Sequence, residues 1–138
     1  MVILYQRNKL LQGGISMGCW MVAKGILEVK PEPDISLIKE YIDFSNRTNP
    51  YADIDESFPN TWFFDERNHL QSDAGKFGEP SVWYKEIKKF FEERGYTLSG
   101  DPNFIGEGEV MDFWQVCNRQ YELYLEWKER CKQYGNAS

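Results

Sequence analysis

The stretch from Pro80 to Gly95, Pro-Ser-Val-Trp-Tyr-Lys-Glu-Ile-Lys-Lys-Phe-Phe-Glu-Glu-Arg-Gly, constrains the fold most. Trp83, Ile87, Phe90 and Phe91 recur at i, i+4, i+7 and i+8, one apolar stripe at helical period, with Lys85, Lys88, Lys89 and Glu92 off it. Pro80 suits a first helical turn, where its missing N–H has no partner to lose. Gly95 suits the left-handed residue that stops a helix, and Arg94 beside it favours the negative end of the helix dipole. Three aromatic rings on one stripe need a broad apolar surface opposite, and a β-sheet supplies one.

The 138 residues suffice for one domain with its own core. Charged residues make up 28% and hydrophobic ones 41%, a globular balance. The chain carries 16% aromatics, and burying every ring in so short a chain is difficult, so some Tyr and Trp are expected at the surface for binding. The net charge of −6, without clustered Lys and Arg, argues against nonspecific nucleic-acid binding and leaves a basic protein as the partner an acidic surface suits.

Cys19, Cys117 and Cys131 have no CxxC spacing, and His69 is the single histidine. A zinc site would need all four from scattered positions, so reduced, inert thiols in a cytoplasmic protein are the reading, with no metal and no cofactor. His69 beside a turn reads as a surface residue.

Residues 1–16 contain Arg7 and Lys9 but no acid, leaving 14 basic and 22 acidic groups in residues 17–138. Their apolar run is too short to span a membrane, and its charges follow it, the reverse of a secretory signal. Gly13-Gly14 can be encoded GGA-GGA, a purine run two codons before Met17 that resembles a bacterial ribosome-binding site. Residues 1–16 are therefore expected to be a translated leader, and residues 17–138 a single α+β domain.

Trp20 to Lys30 reads as a first strand with Gly25 as a bulge, stopped by Pro31 and Pro33. Asp34 is the expected N-cap of a helix with Ile35, Ile38, Tyr41 and Ile42 on its buried side, ended by Asn46 to Pro50. Asp53, Asp55 and Glu56 lie in a loop whose spacing does not fit a calcium-binding loop, and read as solvated. Thr61 to Glu66 and His69 to Ser72 read as a second and third strand joined at Arg67-Asn68, and residues 73–78 as a linker in which Lys76 is no P-loop lysine. A fourth strand starts at Tyr96 to Ser99, is interrupted at Gly100-Asp101-Pro102, and resumes from Phe104 to Val110. Phe113 to Val116 and Tyr121 to Trp127 alternate well enough for a hairpin around Asn118-Arg119, placing Tyr121, Leu123, Leu125 and Trp127 on one face. A helix from Asn118 to Gly135 rivals it, supported by Leu123, Trp127, Cys131, Tyr134 and a Glu126/Arg130 pair. The hairpin is preferred, with Lys128 to Tyr134 allowed as helix.

The order strand, helix, strand, strand, helix, strand is the ferredoxin-like βαββαβ arrangement, an antiparallel sheet with two helices on one face. The run from Phe90 to Asp112, a helix ending in Gly95-Tyr96 followed by a strand, a Gly106-Glu107 pair and an Asp, also resembles small proteins of unknown function from phages and conjugative elements. That resemblance covers the last third of the chain and implies a mobile-element origin and a ferredoxin-like core, with no activity.

Asp101, Glu107, Glu109 and Asp112 form the best chemical constellation. On a strand Glu107 and Glu109 would point the same way, to bind a hard cation, act as acid and base, guard a sheet edge or meet a basic partner. The chain has no GxSxG, HExxH or glycine-rich dinucleotide loop. Expected is a non-enzymatic cytoplasmic protein that binds another protein, as an accessory or inhibitor of a mobile element, with these four residues as the partner-binding set. The alternatives are a small-ligand or nucleotide binder using the open sheet face, and a metal-dependent hydrolase at the four carboxylates.

Overall fold

The computed structural model describes residues 20–51 and 58–134. The expected leader at residues 1–16, the start at Met17, Cys19 and the loop acids Asp53, Asp55 and Glu56 lie outside them. The described chain is a mixed α+β structure: β1 (Trp20–Lys24), β2 (Glu28–Lys30), α1 (Ile35–Arg47), β3 (Trp62–Phe64), β4 (Leu70–Ser72), β5 (Gly75–Lys76), α2 (Glu79–Glu93), β6 (Thr97–Ser99), β7 (Asn103–Gly106) and α3 (Phe113–Gln133).

Helix α2 is the one the apolar stripe marks. Trp83, Ile87, Phe90 and Phe91 are all buried, and Pro80 sits in the first turn. The helix stops in a Schellman motif: Tyr96 N–H donates to Phe91 O at 2.9 Å, Gly95 N–H to Glu92 O at 3.1 Å, and Gly95 has φ 83°. The Tyr96 ring lies against Phe91, the apolar contact that accompanies this stop. Arg94 Nη1 donates to Phe90 O at 2.9 Å, and its guanidinium pairs with Glu40 of α1.

In α1 the Asp34 carboxylate accepts Leu37 N–H at 2.8 Å, as an N-cap should. The buried residues are Leu37, Ile38, Tyr41 and Ile42, whereas Ile35 is 61% exposed. Ile35 was misplaced because, at about 100° per residue, it lies about 100° from the middle of that stripe.

The expected first strand is two strands, and Gly25 is not a bulge. Lys24 pairs with Asn103 and Glu28 with Ser99, so the register is the same on both sides of the break and no residue is inserted. The ribbon is interrupted on both strands at once, at Gly25 (φ 111°) on one strand and Gly100 (φ 126°) on the other. A Cβ on Gly100 would stand 2.8 Å from Ile26 O. In this break Leu27 turns to the other side and exchanges both backbone hydrogen bonds with Leu70, at 2.9 and 2.8 Å. The single sheet expected from the sequence is thus three small antiparallel sheets, β5-β1-β7, β2-β6 and β3-β4. A simple ferredoxin-like sheet is not what the ladders give. Residues 75–76, read as linker, form β5 against β1, and the last strand stops at Gly106, not Val110.

The β3–β4 hairpin closes as expected. Asn68 N–H donates to Asp65 O, Asp65 N–H to His69 O, and Asn68 takes the left-handed conformation at φ 60°.

The C-terminal hairpin does not exist; residues 113–133 are the single helix α3. Phe113, Cys117, Gln120, Trp127 and Cys131 are its buried residues, a 3.6-residue period, while Leu125 is exposed. The short alternation from Tyr121 to Trp127 does not prevail because Glu, Leu, Gln, Lys and Arg, all good helix formers, make up most of residues 118–134 around it.

Two cores result. Ala23, Leu27, Val29 and Leu70 pack with α1, α2 and β3, while Trp20, Val22, Ala74 and Ile105 pack under Phe113 and Cys117 of α3. Val22 and Ala23 fall in different cores because neighbouring strand residues face opposite ways. The second sheet face, open in the sequence reading, is covered by α3.

Gly100→Ala is expected to cost about 1–3 kcal/mol in urea unfolding, from positive φ and the Ile26 carbonyl together. Phe90→Ala should cost about 3–5 kcal/mol, and a change within about 0.5 kcal/mol would place that ring outside the core.

Candidate functional site

The four carboxylates singled out in the sequence do not converge. Asp101 lies exposed in the ribbon break, before β7, and the other three follow β7 in turns. At about 3.3 Å per extended residue, Asp101 and Glu107 are on the order of 20 Å apart. Glu107 closes the end of the ribbon: its N–H donates to Trp20 O at 2.9 Å, and its Oε1 accepts Trp20 N–H at 3.3 Å. Glu109 folds back so that Oε1 accepts Gly106 N–H. Asp112 precedes α3 without a side-chain cap bond, and Met111 between them is fully exposed. Glu107 and Glu109 are not on a strand, so the period-two argument for their pairing lapses. Among the described residues no three His, Cys, Asp or Glu side chains form a group able to hold a metal ion.

Two other carboxylates do share a cleft. Asp73 and Glu79 are 7% and 6% exposed, and both line a cavity of about 340 Å³ walled by Trp20, Phe58, Tyr121 and Tyr124. Local main chain fixes each of them. Asp73 Oδ1 accepts Ala74 N–H at 2.8 Å, and Glu79 Oε1 accepts Lys76 N–H at 2.6 Å. Gly75 is required here, since a Cβ would meet Glu79 Oε1 at 2.7 Å. The Lys76 ammonium lies over the Trp20 ring, 5.3 Å from its centroid.

Trp20 is therefore shared by the cleft and by the acidic turns after β7. Tyr51, whose hydroxyl donates to Phe77 O at 3.2 Å, senses the same charge. Its pKa is pushed up to about 12, first by burial and then by the negative charge of Glu79.

A second cavity, about 250 Å³, lies between α1, residues 58–62 and α3, with Ile42, Ser45, Asn60, Trp127, Lys128 and Cys131 on its walls. Burial pushes the Cys131 thiol up, against the lowering pull of Lys128 and Arg130, so it is a poor nucleophile. Cys117 and Cys131 are fourteen residues apart on one helix. That is about 21 Å, far beyond disulfide reach. His69 is half-buried beside the hairpin turn, where its N–H donates to Asp65 Oδ1 at 2.9 Å.

Sequence reasoning missed Asp73 and Glu79 because they flank what read as a linker. The usable signal was Gly75 four residues before an acid at a helix start, since a glycine there lets the carboxylate lie over the backbone. Comparison with known proteins adds no relative to this geometry: no family model matches the chain, and neither a curated protein nor a solved structure does.

In Glu79→Gln the Tyr51 pKa should fall below about 12 yet stay above the ordinary 10, because burial remains, as ring-carbon NMR titration can read. Since the folded value is raised, the Tyr51 contribution to stability is fully present below the unfolded pKa of 10. It is lost as pH rises through about 12, over a narrower window in the variant.

Proposed function

We propose that this chain is a non-enzymatic binding protein of the cytoplasm, docking a basic partner protein at the acidic end of its sheet. Following the resemblance to phage and conjugative-element proteins, its role is accessory or inhibitory within a mobile element. The observation that carries this reading is the segment 107–112, where the fully exposed Met111 lies between Glu109 and Asp112 along the chain, with Glu107 at its start. An exposed apolar side chain with carboxylates near it in the chain suits a basic surface with an apolar spot, and the charges would steer its approach.

The small-ligand alternative relied on an open sheet face, which α3 covers. Among the described residues no helix is long and apolar enough to cross a membrane.

The fold reading that accompanies this function is a ferredoxin-like βαββαβ core with α3 added on its second face. Supporting it are the ladders taken in sequence: β3 pairs β4, Leu70 of β4 bridges to Leu27, β5 pairs β1, and β1 and β2 pair β7 and β6. Treated as four interrupted strands, their spatial order is fourth, first, third, second, all antiparallel.

The test is capture of a stoichiometric partner from source cells, followed by association kinetics with the Glu109→Lys/Asp112→Lys double variant. Both residues are exposed, and losing the bond from Gly106 N–H to Glu109 Oε1 should cost about 1–2 kcal/mol and leave the chain folded. Association should slow about tenfold or more at low salt, and the difference should shrink as salt nears about 0.5 M. A loss equally large at all salt concentrations, with folding intact, rejects steering by these residues.

A further inference from the structure

We infer that the cavity between α1, residues 58–62 and the second half of α3 binds a small organic anion, a carboxylate carried on a single ring-sized apolar body. The cavity is separate from the acidic turns of the docking reading, and its chemistry does not depend on them.

Size and depth set the body of the ligand. The cavity holds about 250 Å³. An apolar cavity of about 150 Å³ is enough for benzene, and drug-sized ligands take about 300 Å³ or more, so one ring with a short substituent fits. Ile42, Trp62, Trp127 and Cys131 line the space and are themselves buried, which makes its inner end apolar. Asn60 lines it too, but its amide is already bonded to Tyr41, Ser45 and Trp62 N–H.

Charge sets the other end. Among the described residues on the walls only Lys128 is charged, and none is Asp or Glu. The Lys128 ammonium stands 5.9 Å from the centroid of the Tyr124 ring, which lines the same cavity, and no described carboxylate pairs with it. Asn46 and Thr48, at the end of α1, bring to the rim an amide and a hydroxyl that no described residue engages. The inner wall feels the same sign: burial raises the Cys131 thiol pKa, while Lys128 and Arg130 both pull it down. A carboxylate at the rim therefore meets an unpaired cation and two hydrogen-bond donors. An organic cation would face Lys128 with no acid to hold it, and a neutral body gains only from the apolar end. The end of α1 favours the opposite sign, but its dipole amounts to about half a charge against the full charge of an ammonium.

The experiment titrates the full chain with benzoate, benzyl alcohol and benzylammonium, following the Trp127 indole and Cys131 amide resonances by NMR. Benzoate should shift both saturably and bind about fivefold or more tightly than benzyl alcohol, with benzylammonium weakest. Lys128 is exposed, so Lys128→Gln should fold, lose most of the preference for benzoate and bind benzyl alcohol as the parent does. Lys85→Gln makes the same charge change on the exposed side of α2, away from the cavity, and should leave all three affinities as they are.

No saturable shift from any of the three compounds overturns the site. Benzyl alcohol or benzylammonium binding as tightly as benzoate overturns the selection of an anion. A folded Lys128→Gln variant that keeps the parent's preference removes Lys128 from the site and overturns the proposal. A preference lost equally in Lys85→Gln is a long-range effect of net charge and overturns it too. Should Lys128→Gln not fold, the benzoate-against-benzyl-alcohol comparison on the parent decides alone.

Discussion

The hydroxyl of Tyr41 holds together the parts of this structure that do not follow one another in the chain. It donates to Trp62 O at 2.9 Å and accepts Asn60 Nδ2 at 2.8 Å, while Asn60 also donates to Ser45 Oγ and accepts Trp62 N–H through Oδ1. Trp62 lies on β3 with its N–H and C=O directed away from β4, so this edge would otherwise present bare hydrogen-bonding groups. Side chains from α1 and from the approach to β3 satisfy both. Burial pushes the Tyr41 pKa well up, so the phenol stays a neutral donor. Its ring then stacks on Phe91 at 5.5 Å and meets Phe64 and Phe90 edge-on, fixing α1, α2 and β3 at one point.

That joint explains where the aromatic surplus goes. The count of rings suggested that several would be left at the surface for a partner, yet among the described residues only Phe77 ranks as an exposed large aromatic. The reason is architectural. Covering the second sheet face with α3 creates a second core, which absorbs Trp20 and Phe113 and half-buries Trp114 and Tyr121. Buried indoles keep a polar contact where the first core is tightest: Trp62 Nε1 donates to Pro80 O, and Trp83 Nε1 to Phe58 O.

Legibility in the sequence followed the number of independent local signals. Helix α2 had three, a long stripe, an early proline and a terminal glycine, and it was read correctly to its Schellman stop. Helix α1 had an N-cap and a stripe, and only Ile35, in the first turn, was misassigned. Gly25 and Gly100 were both visible as interruptions, but that they interrupt two paired strands in register is a tertiary fact no single segment carries. For α3 the signals conflicted: Asn118-Arg119 resembles a turn, and Tyr-Glu-Leu-Tyr-Leu-Glu-Trp fits two periods over seven residues. Only the longer spacing from Phe113 through Cys117 to Trp127 and Cys131 separates them. The four carboxylates failed as a group for a related reason. Asp101 and Glu107 look close in sequence, but β7 runs extended between them, and extension separates what a turn would gather.

The cleft with Asp73 and Glu79 stands on firmer ground than an exposed turn, because the core sets its walls. Asn60, part of the Tyr41 joint, and Phe58, whose carbonyl holds the Trp83 indole, both line it. Trp20 is fixed by β1 pairing with Lys76 on one side and by Glu107 on the other. Tyr121 and Tyr124 come from the same helix that closes the second core. A buried carboxylate is weak evidence for stability, since its desolvation can outweigh what its hydrogen bonds return. Here local main chain answers part of that cost: Asp73 Oδ1 accepts Ala74 N–H, Glu79 Oε1 accepts Lys76 N–H, and Gly75 between them leaves the room that the Glu79 side chain takes.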